Sequence, residues 1–205
     1  ALMASFRERL APEALLTVSE EPLEEIGRVA GAHSCESLVL GLSNLAEQLE
    51  SPDLEALISD VDCDVTILRA PEGWDLGRVE RVLVPLGGRG GNDVLRARLL
   101  GAIGRTGQRE ALFLRVLPPD ASTQSVDDAE SELRSLADEE APGFGTCEIL
   151  RQDDPGQAIV DMAGEGDLIV LGLQRIGRRQ KAFGPIALRI ARDAPGATIL
   201  ISRRG

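Results

Sequence analysis

The sequence predicts an α/β protein built on a doubly wound parallel sheet of strand order 3-2-1-4-5, carried as two tandem repeats with the first truncated. Short apolar runs, uninterrupted as in strands buried on both faces, alternate with segments of helical periodicity. The segment Ile149 to Ile201 also repeats Thr17 to Leu68 at a nearly constant offset, which marks two copies of one unit. Asp154-Pro155 echoes Glu21-Pro22, Ile169-Val170-Leu171-Gly172-Leu173 echoes Leu38-Val39-Leu40-Gly41-Leu42, and Thr198-Ile199-Leu200 echoes Thr66-Ile67-Leu68. Only the second copy owns Arg81 to Ala141, so the chain is expected to begin inside its first repeat.

Taken in order, the first repeat is read from the second. Leu2 to Leu10 corresponds to the tail of a helix, and strands are expected near Leu16 to Ser19, Leu38 to Gly41 and Val65 to Leu68. Two strands missing from a parallel sheet would leave a long unpaired edge, which favours a cut over degeneration of the copy. Ala70 to Gly77, with Pro71, Gly73 and Gly77, reads as a linker. The expected division is therefore residues 1–69, a truncated repeat; 70–79, a linker; and 80–205, a complete repeat.

The second repeat opens on Arg81-Val82-Leu83-Val84-Pro85-Leu86, a buried strand running into Gly87-Gly88-Arg89-Gly90-Gly91. Asn92 or Asp93 can cap a helix through Ile103, which Gly104 and Gly107 stop. Ala111 to Leu117 is a second strand, closed by Pro118-Pro119. Ser125 to Glu140 places Val126, Ala129, Leu133, Leu136 and Ala137 on one helical face and an acidic surface on the other. Thr146 to Leu150 makes the third strand, Pro155 opens a helix through Ala163, and Asp167 to Gly172 is the fourth strand. Pro185 suits the first turn of a helix to Asp193, and Ala197 to Ser202 completes the five strands.

A chain of 205 residues, 43% hydrophobic and 27% charged, is long enough for one large or two small cores. Its formal net charge of −12 argues against a general nucleic-acid or anionic-membrane binder, since both rely on basic surface. Cys35, Cys63 and Cys147 show neither zinc-ligand nor disulfide-framework spacing, which points to a reducing, cytoplasmic setting. No apolar run approaches the roughly 20 residues that span a bilayer.

In an open doubly wound sheet, ligands bind beyond the carboxyl ends of the strands where the order reverses. That place lies between the loop after Leu86 and the loop after Leu171. The second loop runs Gly172-Leu173-Gln174-Arg175-Ile176-Gly177-Arg178-Arg179 to Lys181, Gly184 and a helix start. Four cations beside backbone N–H groups make a candidate anion pocket, although glycine turns and solvated arginines account for the same residues. Pro185 removes one N–H from it. No catalytic or metal site is expected. His33 is the sole histidine, and Asp153-Asp154 reads as an acidic pair at a helix N-terminus.

At these residues the chain resembles the universal stress protein domain. The resemblance is carried by Val82-Leu83-Val84-Pro85-Leu86, Leu114-Arg115-Val116-Leu117-Pro118-Pro119, Asp167-Leu168-Ile169-Val170-Leu171-Gly172 and Phe183-Gly184-Pro185-Ile186-Ala187. It spans Arg81 to Arg204 and, in truncated form, Thr17 to Leu68, and it implies an adenine nucleotide alpha hydrolase-like fold. Nucleotide-binding members hold ATP with an aspartate after the first strand and a G-x2-G-x9-G-[ST] pattern after the fourth. The resemblance therefore marks Leu86, Gly87, Gly88, Gly172, Gln174, Arg175, Gly177 and Gly184 as binding residues. The match departs from the pattern: Gly87 stands at the aspartate, Arg175 at the second glycine, the spacing to Gly184 is one residue short, and Pro185 replaces the hydroxyl residue. In the first repeat the equivalent loop, Ser43 to Glu50, is glycine-free and acidic.

Pro85-Leu86-Gly87-Gly88 also resembles the stress-protein-like tails of bacterial amino-acid permeases and cation–chloride cotransporters. The resemblance implies a non-enzymatic regulatory or sensor module, the cytoplasmic domain of such a transporter, with a degenerate nucleotide site. The alternative is a free-standing tandem universal stress protein binding ATP or AMP in its second repeat. The expected ligands are weakly bound ATP, AMP or a phosphate-like anion. The expected partners are a transporter membrane domain upstream in the same chain and a pseudo-dimer or homodimer through the last strands, Val65 to Leu68 and Ala197 to Ile201. No nucleic acid is expected. The expected location is the cytoplasm, or the cytoplasmic side of the inner membrane.

Overall fold

The computed structural model describes residues 16–42, 52–87, 93–175 and 181–204. The strands are β1 (Ser37–Gly41), β2 (Asp64–Arg69), β3 (Arg81–Pro85), β4 (Glu110–Leu117), β5 (Gly145–Arg151), β6 (Asp167–Gly172) and β7 (Ala197–Ser202). The helices are α1 (Pro22–Ala32), α2 (Pro52–Asp60), α3 (Asp93–Gly104), α4 (Thr123–Glu140), α5 (Pro155–Met162) and α6 (Pro185–Asp193). The seven strands lie side by side as β1-β2-β7-β6-β3-β4-β5.

This order corrects the expected tandem architecture of strand order 3-2-1-4-5, with a truncated repeat followed by a complete one. One continuous mixed sheet spans both halves of the chain instead. β2 runs antiparallel to β7, with Val65 opposite Ser202 and Arg69 opposite Thr198, and the other neighbouring pairs are parallel. The physical reason is that β2 and β7 are buried strands whose backbone N–H and C=O groups need partners on both sides. One shared ladder satisfies both. The antiparallel contact expected between Val65–Leu68 and Ala197–Ile201 is present, but it lies inside the sheet. Both strands are thereby flanked on each side, so the expected homodimer through them is overturned.

Leu16 to Ser19, expected as a strand, is not one. Leu16 and Val18 are 93% and 97% exposed, and no described strand joins the outer edge of β1. Leu2 to Leu10 and Ser43 to Glu50 lie outside the described residues. The expected transporter membrane domain is not found among the described residues, where no helix is long and apolar enough to cross a membrane.

Helices cover both sheet faces, which is why the central strands read as unbroken apolar runs. On β3, Leu83 joins the core under α1, α2, α5 and α6, with Leu54, Ile58, Ile67, Ile190 and Leu200. Val82 and Val84 point the other way, toward Leu100 and Ile103 of α3 and Leu133 of α4, around Phe113. Ser122 caps α4 by accepting the Ser125 N–H at 3.1 Å, and Asp154 caps α5 by accepting that of Gln157 at 3.1 Å. Gly196 is required between α6 and β7. A Cβ there would stand 2.4 Å from the Asp167 carbonyl oxygen and 2.7 Å from that of Gly164.

Buried and half-buried arginines fasten the layers. Arg81 grips Asp167 with two hydrogen bonds, of 3.0 and 2.6 Å, across the starts of β3 and β6. Arg69 donates to the carbonyls of Ala194 and Gly196, tying β2 to the turn before β7. Arg96 of α3 and Glu140 of α4 form a bidentate pair with both side chains almost wholly buried.

Surface carboxylates set an acid limit on this fold. The Arg115 guanidinium holds Glu132 below its ordinary value of 4.5, and the Gln157 N–H, followed by Arg189, holds Asp154 below 3.8. A carboxylate depressed in the folded state contributes stability above its unfolded value and loses it as pH falls through the folded one. The melting temperature is therefore expected to be level near neutrality and to drop as pH falls below about 4. Asp154→Asn should show a shallower drop in the same scan, and an unchanged acid slope would remove Asp154 from this account.

Candidate functional site

Three strands end at different heights on the carboxyl side of the sheet, and the difference creates a cavity. The last β3 pair sets Pro85 opposite Leu114, and the Leu86 N–H then donates to the Leu114 carbonyl at 2.7 Å. β4 continues through Arg115, Val116 and Leu117, which pair onward with β5. On the other side of β3, β6 runs out to Leu171 and Gly172. A slot is thus left between β4 and β6, directly above the end of β3. This is the point where the chain order reverses, since β3 has β4 on one side and β6 on the other.

The slot opens into a cavity of about 490 Å³. Pro85, Leu86 and Gly87 form its floor, and Leu114 to Leu117, Leu171 and Gly172 its sides. Pro155 and Ile159 of α5 and Ile186, Ala187 and Ile190 of α6 close it. The lining is mostly apolar, as is usual for pockets that hold small organic molecules. Beside it, Arg189 of α6 pairs with Asp154, the cap of α5, and joins the two helices.

Of the sequence-predicted binding residues, the structure brings Leu86, Gly87 and Gly172 into the lining. Gly184 caps α6 one residue before Pro185, so it adjoins the cavity without lining it. Gln174 and Arg175 pair antiparallel with Ala182 and Lys181 in a two-residue ladder that follows β6. Gly88 and Gly177 lie outside the described residues, as do Arg178 and Arg179. At Gly87 no described atom stands within 4 Å of where a Cβ would be, so a side chain has room there.

One lining residue escaped the sequence reading. Among the described residues, Arg115 is the one charged residue in the cavity wall. Its side chain is 13% exposed and donates from Nη1 to Glu132 of α4 at 2.7 Å. Its Nε is buried and has no hydrogen-bond partner among the described residues. In the sequence it is simply a polar residue in an apolar strand. Its place in the lining follows from β4 outrunning β3, a fact of topology.

A larger cavity, of about 670 Å³, lies at the opposite end of the sheet, between Glu80, Arg109, Glu110 and Phe144. Size is outweighed there by chemistry. The Arg109 guanidinium already donates to the carbonyls of Leu76, Val79 and Ile103 and to the Thr106 hydroxyl, so it serves the fold. No group of His, Cys, Asp and Glu suited to a metal ion exists among the described residues. His33 ends α1 in an exposed turn and lines neither cavity.

Comparisons with known proteins bear on the fold. No protein-family model matches the chain, and no curated protein does either. Solved structures match throughout. The cytoplasmic domain of a prokaryotic cation chloride cotransporter gives a TM-score of 0.70 at 15% identity, over 98% of this chain and 77% of that one. A universal stress protein from Archaeoglobus fulgidus DSM 4304 gives 0.55 at 16%, over 89% and 66%. A universal stress protein from Archaeoglobus fulgidus gives 0.50 at 18%, over 60% and 93%. The fold of the chain is that of the universal stress proteins.

Proposed function

We propose that this chain is a non-catalytic regulatory module that binds an adenine nucleotide weakly in the cavity above β3. It acts in the cytoplasm as a stress protein of its own rather than as the tail of a transporter. The cavity's position at the point of strand reversal is the observation that carries the reading. Among its described lining residues there is no nucleophile paired with a base, which supports binding without chemistry. The likeness to two universal stress proteins supports the stress-protein assignment. The division at residues 70–79 belongs to the proposal, with ligand binding assigned to residues 80–205. So do Leu86, Gly87, Gly88, Gly172, Gln174, Arg175, Gly177 and Gly184 as binding residues.

Weak affinity follows from Gly87. A carboxylate at that position would add charge-assisted hydrogen bonds, each worth roughly 1.5–3 kcal/mol, and Gly87 has none. Calorimetric titration is expected to give dissociation constants in the high micromolar range for ATP and AMP, or roughly −5 to −6 kcal/mol. Ala187→Phe, which fills the cavity from α6, should abolish both. Submicromolar ATP affinity, or affinity untouched by Ala187→Phe, would move the ligand elsewhere.

A further inference from the structure

Leu38-Val39-Leu40-Gly41 of β1 echoes Ile169-Val170-Leu171-Gly172 of β6, yet β6 lies between β7 and β3 while β1 meets β2 alone among the described strands. The difference shows in burial. Val170 is 1% exposed and Val39 69%, and Ile169 is buried where Leu38 is half-buried. Ile159 of α5 is buried in the wall of the cavity above β3, whereas Ile26 of α1, its counterpart, is only half-buried. The repeat thus marks a place beside β1 that an apolar strand holds in the second half. That strand, β3, runs parallel to β6 and buries Val82, Leu83 and Val84.

Hydrogen bonding makes the place receptive. The Asp64 N–H donates to the Glu36 carbonyl at 3.1 Å, and the Leu42 N–H to the Leu68 carbonyl at 3.0 Å. Residues facing a parallel neighbour alternate, so Leu38 and Leu40 bond to β2 while Ser37, Val39 and Gly41 turn their N–H and C=O groups outward. β1 carries no charge or proline to guard this edge, whereas β5, at the opposite edge, carries Glu148 and Arg151. Charge frames one end. α1 returns to the start of β1 through residues 33–36, so its first turn stands at the Gly41 end of the strand. Glu20, Glu21, Glu24 and Glu25 gather there, and Arg28 offsets Glu25. The hydrogen bond and charge of Glu21 lift the Glu24 carboxyl above its ordinary value of 4.5, as an excess of negative charge would.

We propose that the outer edge of β1 is a docking site for an extended segment of a partner protein, which adds as an apolar strand parallel to β1 and carries Lys or Arg just beyond its C-terminal end. Main-chain bonds to Ser37, Val39 and Gly41 supply the attachment, and the carboxylates at the start of α1 select the basic flank. The site is independent of the cavity above β3.

NMR of the full chain with a synthetic peptide copying residues 81–84 and followed by three lysines tests this. The peptide should slow hydrogen exchange at Ser37, Val39 and Gly41 by about tenfold or more and leave Leu38 and Leu40 unchanged. The same peptide ending in three glutamates should bind about tenfold more weakly at low salt. Val39→Pro removes an outward N–H and spares the ladder with β2, so it should abolish binding at a nearly unchanged melting temperature, whereas Leu38→Pro should lower that temperature. A peptide N-methylated along its backbone should fail to bind the unaltered chain, which keeps the test decisive if Val39→Pro does not fold. No protection by the lysine peptide, binding that survives Val39→Pro or N-methylation, or equal binding of the lysine and glutamate peptides would overturn the proposal. So would slow exchange at Ser37, Val39 and Gly41 without peptide: in a monomer it would mean that the chain's own residues cover the edge, and in a dimer that a second copy does.

Discussion

Glu140→Leu is expected to lower the free energy of unfolding by about 3 to 5 kcal/mol, the largest effect of any single substitution considered for this chain. The carboxylate sits between α4 and α3, where Arg96 donates to it at 2.6 and 2.5 Å. The two side chains are 2% and 6% exposed, so water cannot replace the lost acceptor. The cost comes mainly from taking the carboxylate away from a buried cation rather than from the net worth of the pair. The double variant Arg96→Met with Glu140→Leu should therefore recover most of the loss. Urea denaturation of the three variants measures it, and a loss below about 1 kcal/mol for Glu140→Leu would show that Arg96 reaches solvent.

Val65→Pro is expected to cost at least about 3 kcal/mol, and to do so for the whole chain at once. Val65 pairs with Leu38 of β1 on one side and with Ser202 of β7 on the other, so its N–H belongs to a ladder whichever way it points. Trp74 is the sole tryptophan and packs against the core under α3 and α4, remote in sequence from Val65 and on the other sheet face from its side chain. If the sheet is one cooperative body, Trp74 fluorescence and far-ultraviolet circular dichroism should report the same lowered midpoint. Two separated transitions, with Trp74 reporting only the later one, would restore two independent units.

The strands from β3 to β7 were legible because burial on both faces leaves a continuous apolar run, and Pro155 and Pro185 mark helix starts unambiguously. The same logic failed at Leu16 to Ser19. Repeat symmetry supplied a strand there, but a strand exists only where a neighbour offers a ladder, and β1 meets none on its outer edge among the described residues. Sheet continuity was hidden for a related reason. The apolar character of Val65 to Leu68 tells that the strand needs partners, and the antiparallel contact with β7 could be inferred from it. That the contact fuses two halves into one sheet depends on which edges remain free, and no local pattern encodes that. At the site, the glycines after β3 and β6 were visible as turn signals beyond strand ends. Arg115 was not, since its place in the lining comes from the unequal lengths of β3 and β4.

The antiparallel seam between β2 and β7 also fixes an order of events during synthesis. Ile67 must wait for Leu200, which lies roughly 130 residues further along the chain, so this contact is among the slowest the fold can make. At about 5–20 residues per second, a ribosome needs roughly 7 to 26 seconds to deliver β7 after β2 has emerged. Throughout that interval β1 and β2 are a two-stranded ribbon with apolar faces, too small to be stable alone. The N-terminal portion is thus made first and finished last. A nascent chain stalled before Ala197 would keep that ribbon exposed, a natural target for chaperones or proteases at a stage when β3 to β6 are already in place.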